Sequence, residues 1–181
     1  MRKILAVMRV IFNSFRFWIS RGNVRCAGKC TSRCGNEFTV TKGGHIDLGY
    51  HVCALKNCRF SAQGGVLKIG NNVGFNTNCI VACHEKIVIQ DGVEFGPNVC
   101  IYDHDHDFRC AGGIKSGKFT CDEVYIGKNT WIGANVLILK GTHIGDNCVI
   151  AGGSVVSGVV NDNCIYYQKR TTVLKEIGRS Q

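Results

Sequence analysis

The chain has 181 residues, enough for one domain with a short appendage, and its 45% hydrophobic content can supply a buried core. Twenty-three glycines beside a single proline exclude a proline-rich linker and a helical bundle, and imply many tight turns at short intervals. The net charge of +9 sits at one end: residues 1–36 hold eight Lys or Arg and no acidic residue, and the rest is nearly balanced, which argues against a nucleic-acid partner for the body of the chain.

In chain order, the first expected element is a basic amphipathic helix within residues 1–35. Ile4, Met8, Ile11, Phe12, Phe15, Trp18 and Ile19 follow helical spacing, with Arg2, Arg9, Arg16 and Asn13 opposite. Arg9 and Arg16 interrupt the apolar run, so it is neither a membrane span nor a clean secretory signal. Two roles are open for residues 1–20: peripheral contact with an anionic membrane surface, or packing as a cap over the end of the domain or against a neighbouring subunit. The twelve cysteines are expected to be reduced in a cytoplasmic protein, peripheral at most at the inner face of the membrane. Cys26, Cys30 and Cys34 are spaced by four and do not read as a zinc knuckle.

From residue 36 to about 165 the chain carries a six-residue period. Leu48, Ala54, Phe60 and Val66 introduce it, and Ile69, Phe75, Val81 and Ile87 continue it. The phase then slips by two, to Ile89, Phe95 and Ile101. The clearest run is Ile126, Ile132, Ile138, Ile144, Ile150 and Val156, each followed four residues later by Thr130, Val136, Thr142, Cys148, Ser154 or Val160. A period of six excludes a helix and fits short strands between sharp turns, stacked as coils of a parallel β-helix. Between Ile101 and Ile126 the register breaks, so an excursion loop is expected at about 103–125. It opens with "YDHDHDF", Tyr102–Phe108, which packs titratable side chains beside a rigid scaffold. A short helix around 171–178 is expected in the tail, 166–181.

These repeats resemble the hexapeptide-repeat acyltransferases, nearest to sugar and polysaccharide O-acetyltransferases of the maltose and galactoside type. The resemblance covers roughly residues 45–160. It implies an all-β solenoid, a left-handed parallel β-helix here flanked by the N-terminal and C-terminal helices, and a homotrimer with sites between subunits. It also implies acetyl-CoA as co-substrate and a small-molecule or glycan acceptor, such as a surface-polysaccharide precursor. In that family a histidine follows a Pro-x-Val segment by nine residues. From Pro97 that position is His106, the implied general base, and an Asn-x-Asn segment thirty residues earlier falls on Asn76. Carried over in the same way, Trp131, Ala134, Gly152, Ser157, Gly158, Thr172 and Lys175 occupy cofactor positions. The segment Gln168–Thr172 lacks the proline the family has there, which departs from the pattern of cofactor contacts.

The chemistry fits these residue types. A sugar hydroxyl needs a base to remove its proton as it attacks a thioester, and an imidazole titrating near 6.5 suits the task. His104 competes with His106 for that role, because alternate residues of an extended strand face the same way. Asp103 and Asp105 are both candidates to orient the ring, and His84 to orient it or meet the acceptor. Two alternatives remain open: a carbonic anhydrase-like metal-dependent hydratase, with ligands drawn from His84, His104, His106 and His143, or a non-catalytic assembly protein. The spacings match that ligand pattern poorly, so no metal is expected.

Overall fold

The computed structural model describes residues 23–33, 35–169 and 171–175. The chain winds as a three-sided prism. Its first face stacks seven parallel strands: Val24–Cys26, His45–Leu48, Val66–Ile69, Lys86–Ile89, Val124–Ile126, His143–Ile144 and Val159–Val160. The second stacks seven, from Thr31–Ser32 through Gly74–Phe75 and Trp131–Ile132 to Ile165–Tyr166. The third stacks six, from Glu37–Thr41 through Ile80–Cys83 and Cys100–Tyr102 to Val155–Val156.

The hexad is the reason for this shape. In the C-terminal half, three hexads make one circuit, so Ile126 pairs with Ile144, Ile132 with Ile150 and Ile138 with Val156. All six of these side chains are buried. The N-terminal coils are longer, with Leu48 paired to Ile69 and Ile69 to Ile89. Their first-face strands are four residues long and turn two side chains inward, Leu67 and Ile69 in one coil and Ile87 and Ile89 in the next. The two-residue phase slip of the sequence is that extra strand length. It also corrects one expected position: Val66 is only half buried, and Leu67 takes the inward place.

The corners between faces need backbone at positive φ. Among the described residues, eight of the ten non-glycine residues there are asparagines, including Asn57, Asn78, Asn98 and Asn135. These four also link their side-chain amides from coil to coil, at 3.0 Å for Asn78 to Asn98 and for Asn98 to Asn135. Where the small residue four places after an aliphatic one is polar or a thiol, it ties neighbouring coils together. Thr130 Oγ1 donates to Gly145 O (3.0 Å), Cys148 Sγ to Asn161 O (3.1 Å) and Cys58 Sγ to Asn76 O (3.0 Å), each binding one coil to the next. These two cysteines are free thiols that tie coil to coil.

Both ends depart from expectation. The first described strands, Val24–Cys26 and Thr31–Ser32, already belong to the solenoid, ahead of the expected boundary at 36; the rest of the expected N-terminal helix lies outside the described residues. At the other end Gln168 seals the third sheet. Its amide oxygen accepts the Val155 N–H and its amide nitrogen donates to the Val155 carbonyl, each at 3.0 Å, as a strand would. Thr171–Lys175 form no helix, in keeping with the β-branched Thr171, Thr172 and Val173; residues 176–178 lie outside the description.

Large rings fill the wider N-terminal coils. Phe75 stacks on Phe95 at 4.5 Å and meets the edge of Phe60 at 4.9 Å. Phe75→Ala is expected to cost about 3–5 kcal/mol in chemical denaturation. A loss under about 1 kcal/mol would mean that this ring stack is not part of the cooperative core.

Candidate active site

The excursion leaves the prism at the corner between the third and first faces. It is an antiparallel hairpin, His104–His106 paired with Phe119–Cys121, capped by a short 3-10 turn at Gly113–Ser116. The arm runs from Asp103 to Glu123, and Val124 re-enters the first face.

Asp103 roots the arm. Its carboxylate is fully buried and accepts the backbone N–H groups of His84 (2.8 Å), Glu85 (2.8 Å) and Lys86 (2.9 Å), and the Nδ1 of His104 lies 2.9 Å away. Burial by itself would push its pKa up. The N–H donors of Glu85 and His84 and the His104 ring outweigh that and hold it below the usual carboxylate value. Asp105 faces the other way: it pairs with Thr120 across the hairpin, and Lys140 reaches its carboxylate (3.4 Å) and the Thr120 hydroxyl (2.7 Å). Of the two aspartates, Asp103 is therefore the one that orients an imidazole.

Three imidazoles meet at the arm's root. His84 and His104 stack face to face, with centroids 3.5 Å apart and planes within 8°. Phe119 stands against both, edge-on, and against His106 at 4.7 Å. His104 and His106 thus share one face of the hairpin, as strand alternation predicted. They differ in environment. The His104 side chain is 13% exposed with one nitrogen committed to Asp103, whereas His106 is exposed and neither ring nitrogen has a hydrogen-bond partner among the described residues. Burial lowers the pKa of His84, and the charges of His104 and Lys42 add to the effect against the pull of Asp103. His143 stacks on Tyr125 on the first face, away from this cluster. Among the described residues no group of three or more His, Cys, Asp or Glu is placed to hold a metal ion.

The remaining expected site residues do not converge on these rings within one chain. Asn76 lies at the corner between the second and third faces, where its side-chain oxygen accepts the Thr77 N–H at 2.8 Å. The third face separates that corner from the histidines, by about 13 Å for a four-residue strand such as Ile80–Cys83. A groove of about 470 Å3, lined by residues including Asn57, Arg59, Asn78 and Ile80, opens beside the Asn76 corner and not beside the imidazoles. Ala134 and Gly152 stack at the Asn76 corner, where a Cβ on Gly152 would meet Ala134 O at 3.1 Å. Trp131 points outward from the second face, 58% exposed, between Glu94 and Val149. Ser157 and Gly158 lie at the arm's corner, with Gly158 at φ +76°, and Thr172 and Lys175 are exposed in the tail. Sequence reasoning missed Phe119; nothing in the irregular stretch marked it until the hairpin register set it opposite His106.

Comparison with known proteins agrees with this architecture. The bacterial transferase hexapeptide family (six repeats) matches residues 123–158. The maltose O-acetyltransferase of Clostridium difficile 630 is similar in structure at 32% identity and TM-score 0.51, over 83% of this chain and 68% of that one. The galactoside O-acetyltransferase of Lactococcus lactis subsp. lactis (strain IL1403) is 33% identical over 71% of this chain and 62% of its own length. A hexapeptide-repeat acetyltransferase of Vibrio cholerae O1 biovar eltor, solved with acetyl coenzyme A, shares the fold at 22% identity and TM-score 0.52, over 84% and 71% of the two chains. The prism of stacked hexads defines a hexapeptide-repeat transferase scaffold, and the chain belongs to the hexapeptide transferase family. It spans about three fifths of the length of the first curated relatives it matches.

Asp103 generates a stability prediction. A carboxylate whose pKa is depressed by folding stabilises the protein above its unfolded value, and that contribution fades as pH falls through the folded value. Asp103→Asn is expected to lower stability at pH 7 by about 1–3 kcal/mol. The gap to wild type should narrow below about pH 4, where the unfolded carboxylate titrates. Urea titrations across pH 3–7 check this, and a gap that does not change with pH would contradict it.

Proposed function

We propose that this protein transfers an acetyl group from acetyl-CoA to a hydroxyl of a sugar acceptor, with His106 as general base. The observation that carries the reading is the exposed His106 ring, its nitrogens unpartnered, on a hairpin rooted in a hexapeptide-repeat prism. The acetylated sugars named for its relatives, maltose and galactosides, support the acceptor class.

In this mechanism His106 takes the hydroxyl proton as the acceptor oxygen attacks the thioester carbonyl. The tetrahedral intermediate collapses, and the imidazolium returns the proton to the departing thiolate. The side-chain nitrogen of Asn76, unpartnered among the described residues, is the proposed donor to the developing oxyanion.

Because Asn76 and His106 sit at different corners, the complete site needs a second copy. The third face supplies the surface: Ile80, Cys100, Leu137 and Val155 align outward in one column between the two corners, with Ala82 and Tyr102 beside it. We infer a homotrimer in which the arm of one chain meets the Asn76 corner of the next. Trp131, Ala134 and Gly152 on one chain and Ser157, Gly158, Thr172 and Lys175 on the other then flank the coenzyme.

A second reading is favoured by one contact. Asp103 fixes the Nδ1 side of His104, the arrangement a general base needs, so His104 is the alternative base. Free-thiol release from acetyl-CoA over a panel of maltose, galactosides and other sugars, with His106→Ala and His104→Ala side by side, separates the two. His106→Ala is expected to lose about 10²–10⁴ in kcat with the fold retained. Full activity in that variant, with loss in His104→Ala, moves the base; no sugar-dependent thiol release at all rejects the transferase reading.

Among the described residues no helix is long and apolar enough to cross a membrane. Cytoplasmic placement, with residues 1–20 resting on an anionic membrane surface, is proposed from sequence alone. The intact protein should co-sediment with phosphatidylglycerol-containing vesicles and lose that binding on removal of residues 1–20; no co-sedimentation of the intact chain rules the contact out.

A further inference from the structure

The base proposed above sits on an arm with little else to hold it. None of residues 104–123 is fully buried. The arm's turn runs through Gly112, Gly113 and Gly117, all in the left-handed region at φ 89°, 53° and 68°, which glycine adopts without strain and without a side chain to pack on the prism. The outer half of the hairpin therefore cannot fix the direction of an imidazole, and a catalytic group displaced by about 1 Å costs on the order of 10²-fold in rate. Whatever positions His106 has to reach back to the prism.

Phe119 is the side chain that does so. It pairs directly with His106 across the hairpin, with ring centroids 4.7 Å apart. Its opposite contact is His84, which belongs to the prism and not to the arm, at 4.4 Å and 81°. His104 completes the set at 5.3 Å and 88°. His84 is itself held, since its backbone N–H binds the buried Asp103 carboxylate and its face lies on His104. A chain of ring contacts thus runs from a fixed coil, through Phe119, to an otherwise unsupported imidazole. The contacts to His84 and His104 are edge-to-face, a preferred geometry that fixes the Phe119 ring, and the His106 ring lies against that fixed ring at a tilt of 39°.

We propose that Phe119 is a positioning residue for His106, indexed on the prism by His84. The inference rests on His106 being the base. In this role Phe119 acts through the His106 ring it touches, so its loss is expected to act on kcat and to spare coenzyme binding.

The test uses the full-length protein with acetyl-CoA and the best acceptor from the sugar panel. Phe119→Ala is expected to lower kcat by about 10–100-fold, with the KM for acetyl-CoA within about threefold and the thermal midpoint close to wild type. Phe119→Tyr, which keeps the ring, restores most of the rate. His84→Ala lowers kcat in the same direction, and the Phe119→Ala/His84→Ala double variant is no worse than the poorer single one, because both break the same chain of contacts. Where Phe119→Ala fails to fold, the His84→Ala and Phe119→Tyr arms carry the test. The inference is overturned by normal kcat in folded Phe119→Ala, by a loss confined to KM, or by fully additive effects. Loss of activity in His106→Ala with normal kcat in Phe119→Ala sinks this inference and leaves the transferase reading standing. Full activity in His106→Ala removes the reading on which it rests.

Discussion

Parallel pairing between successive coils is the constraint on which the structure depends. Each short strand takes its hydrogen bonds from the equivalent strand one circuit away, so each inward residue lies over its own counterpart. A two-residue strand has no stability alone, and its apolar side chain is buried only by the coils above and below. The corners follow from the same demand. A chain turning every six residues needs positive φ at regular intervals, and asparagine meets it while linking its amide to the next coil.

Against that repetition, the arm is a local exception held by one carboxylate. Burying Asp103 carries a desolvation cost, offset because three consecutive backbone N–H groups and an imidazole converge on it. Those N–H groups belong to the preceding coil, at the corner where the hairpin departs. The carboxylate therefore takes up donors that the interrupted stacking would otherwise leave unpaired, and it orients His104 in doing so. Lys86 with Glu123 and Lys140 with Asp105 add exposed ion pairs around this root; their contribution is small beside the buried contacts.

The prism also separates what it carries. A side chain at one corner cannot approach another corner, because the faces between are rigid and filled. Under the proposed trimer, this geometry makes oligomerisation part of the site. The apolar column on the third face lies between the two corners that hold Asn76 and the histidines, which is where a neighbouring chain would join them.

What the sequence determined by itself was the solenoid, its inward residues and the presence of an arm at the histidine-rich stretch, since each is a matter of period, and period is local. Thr130, Thr142, Cys148 and Ser154 were legible as buried small residues in the same way. Tertiary structure alone decided which aspartate serves an imidazole, that Phe119 touches all three rings, that Leu67 displaces Val66 inward, and that Asn76 stands a full face away from His106. Those outcomes depend on hairpin register, strand length and the winding of three faces. They turn on contacts such as Phe119 with His84, 35 positions apart, and no periodicity in the chain encodes them.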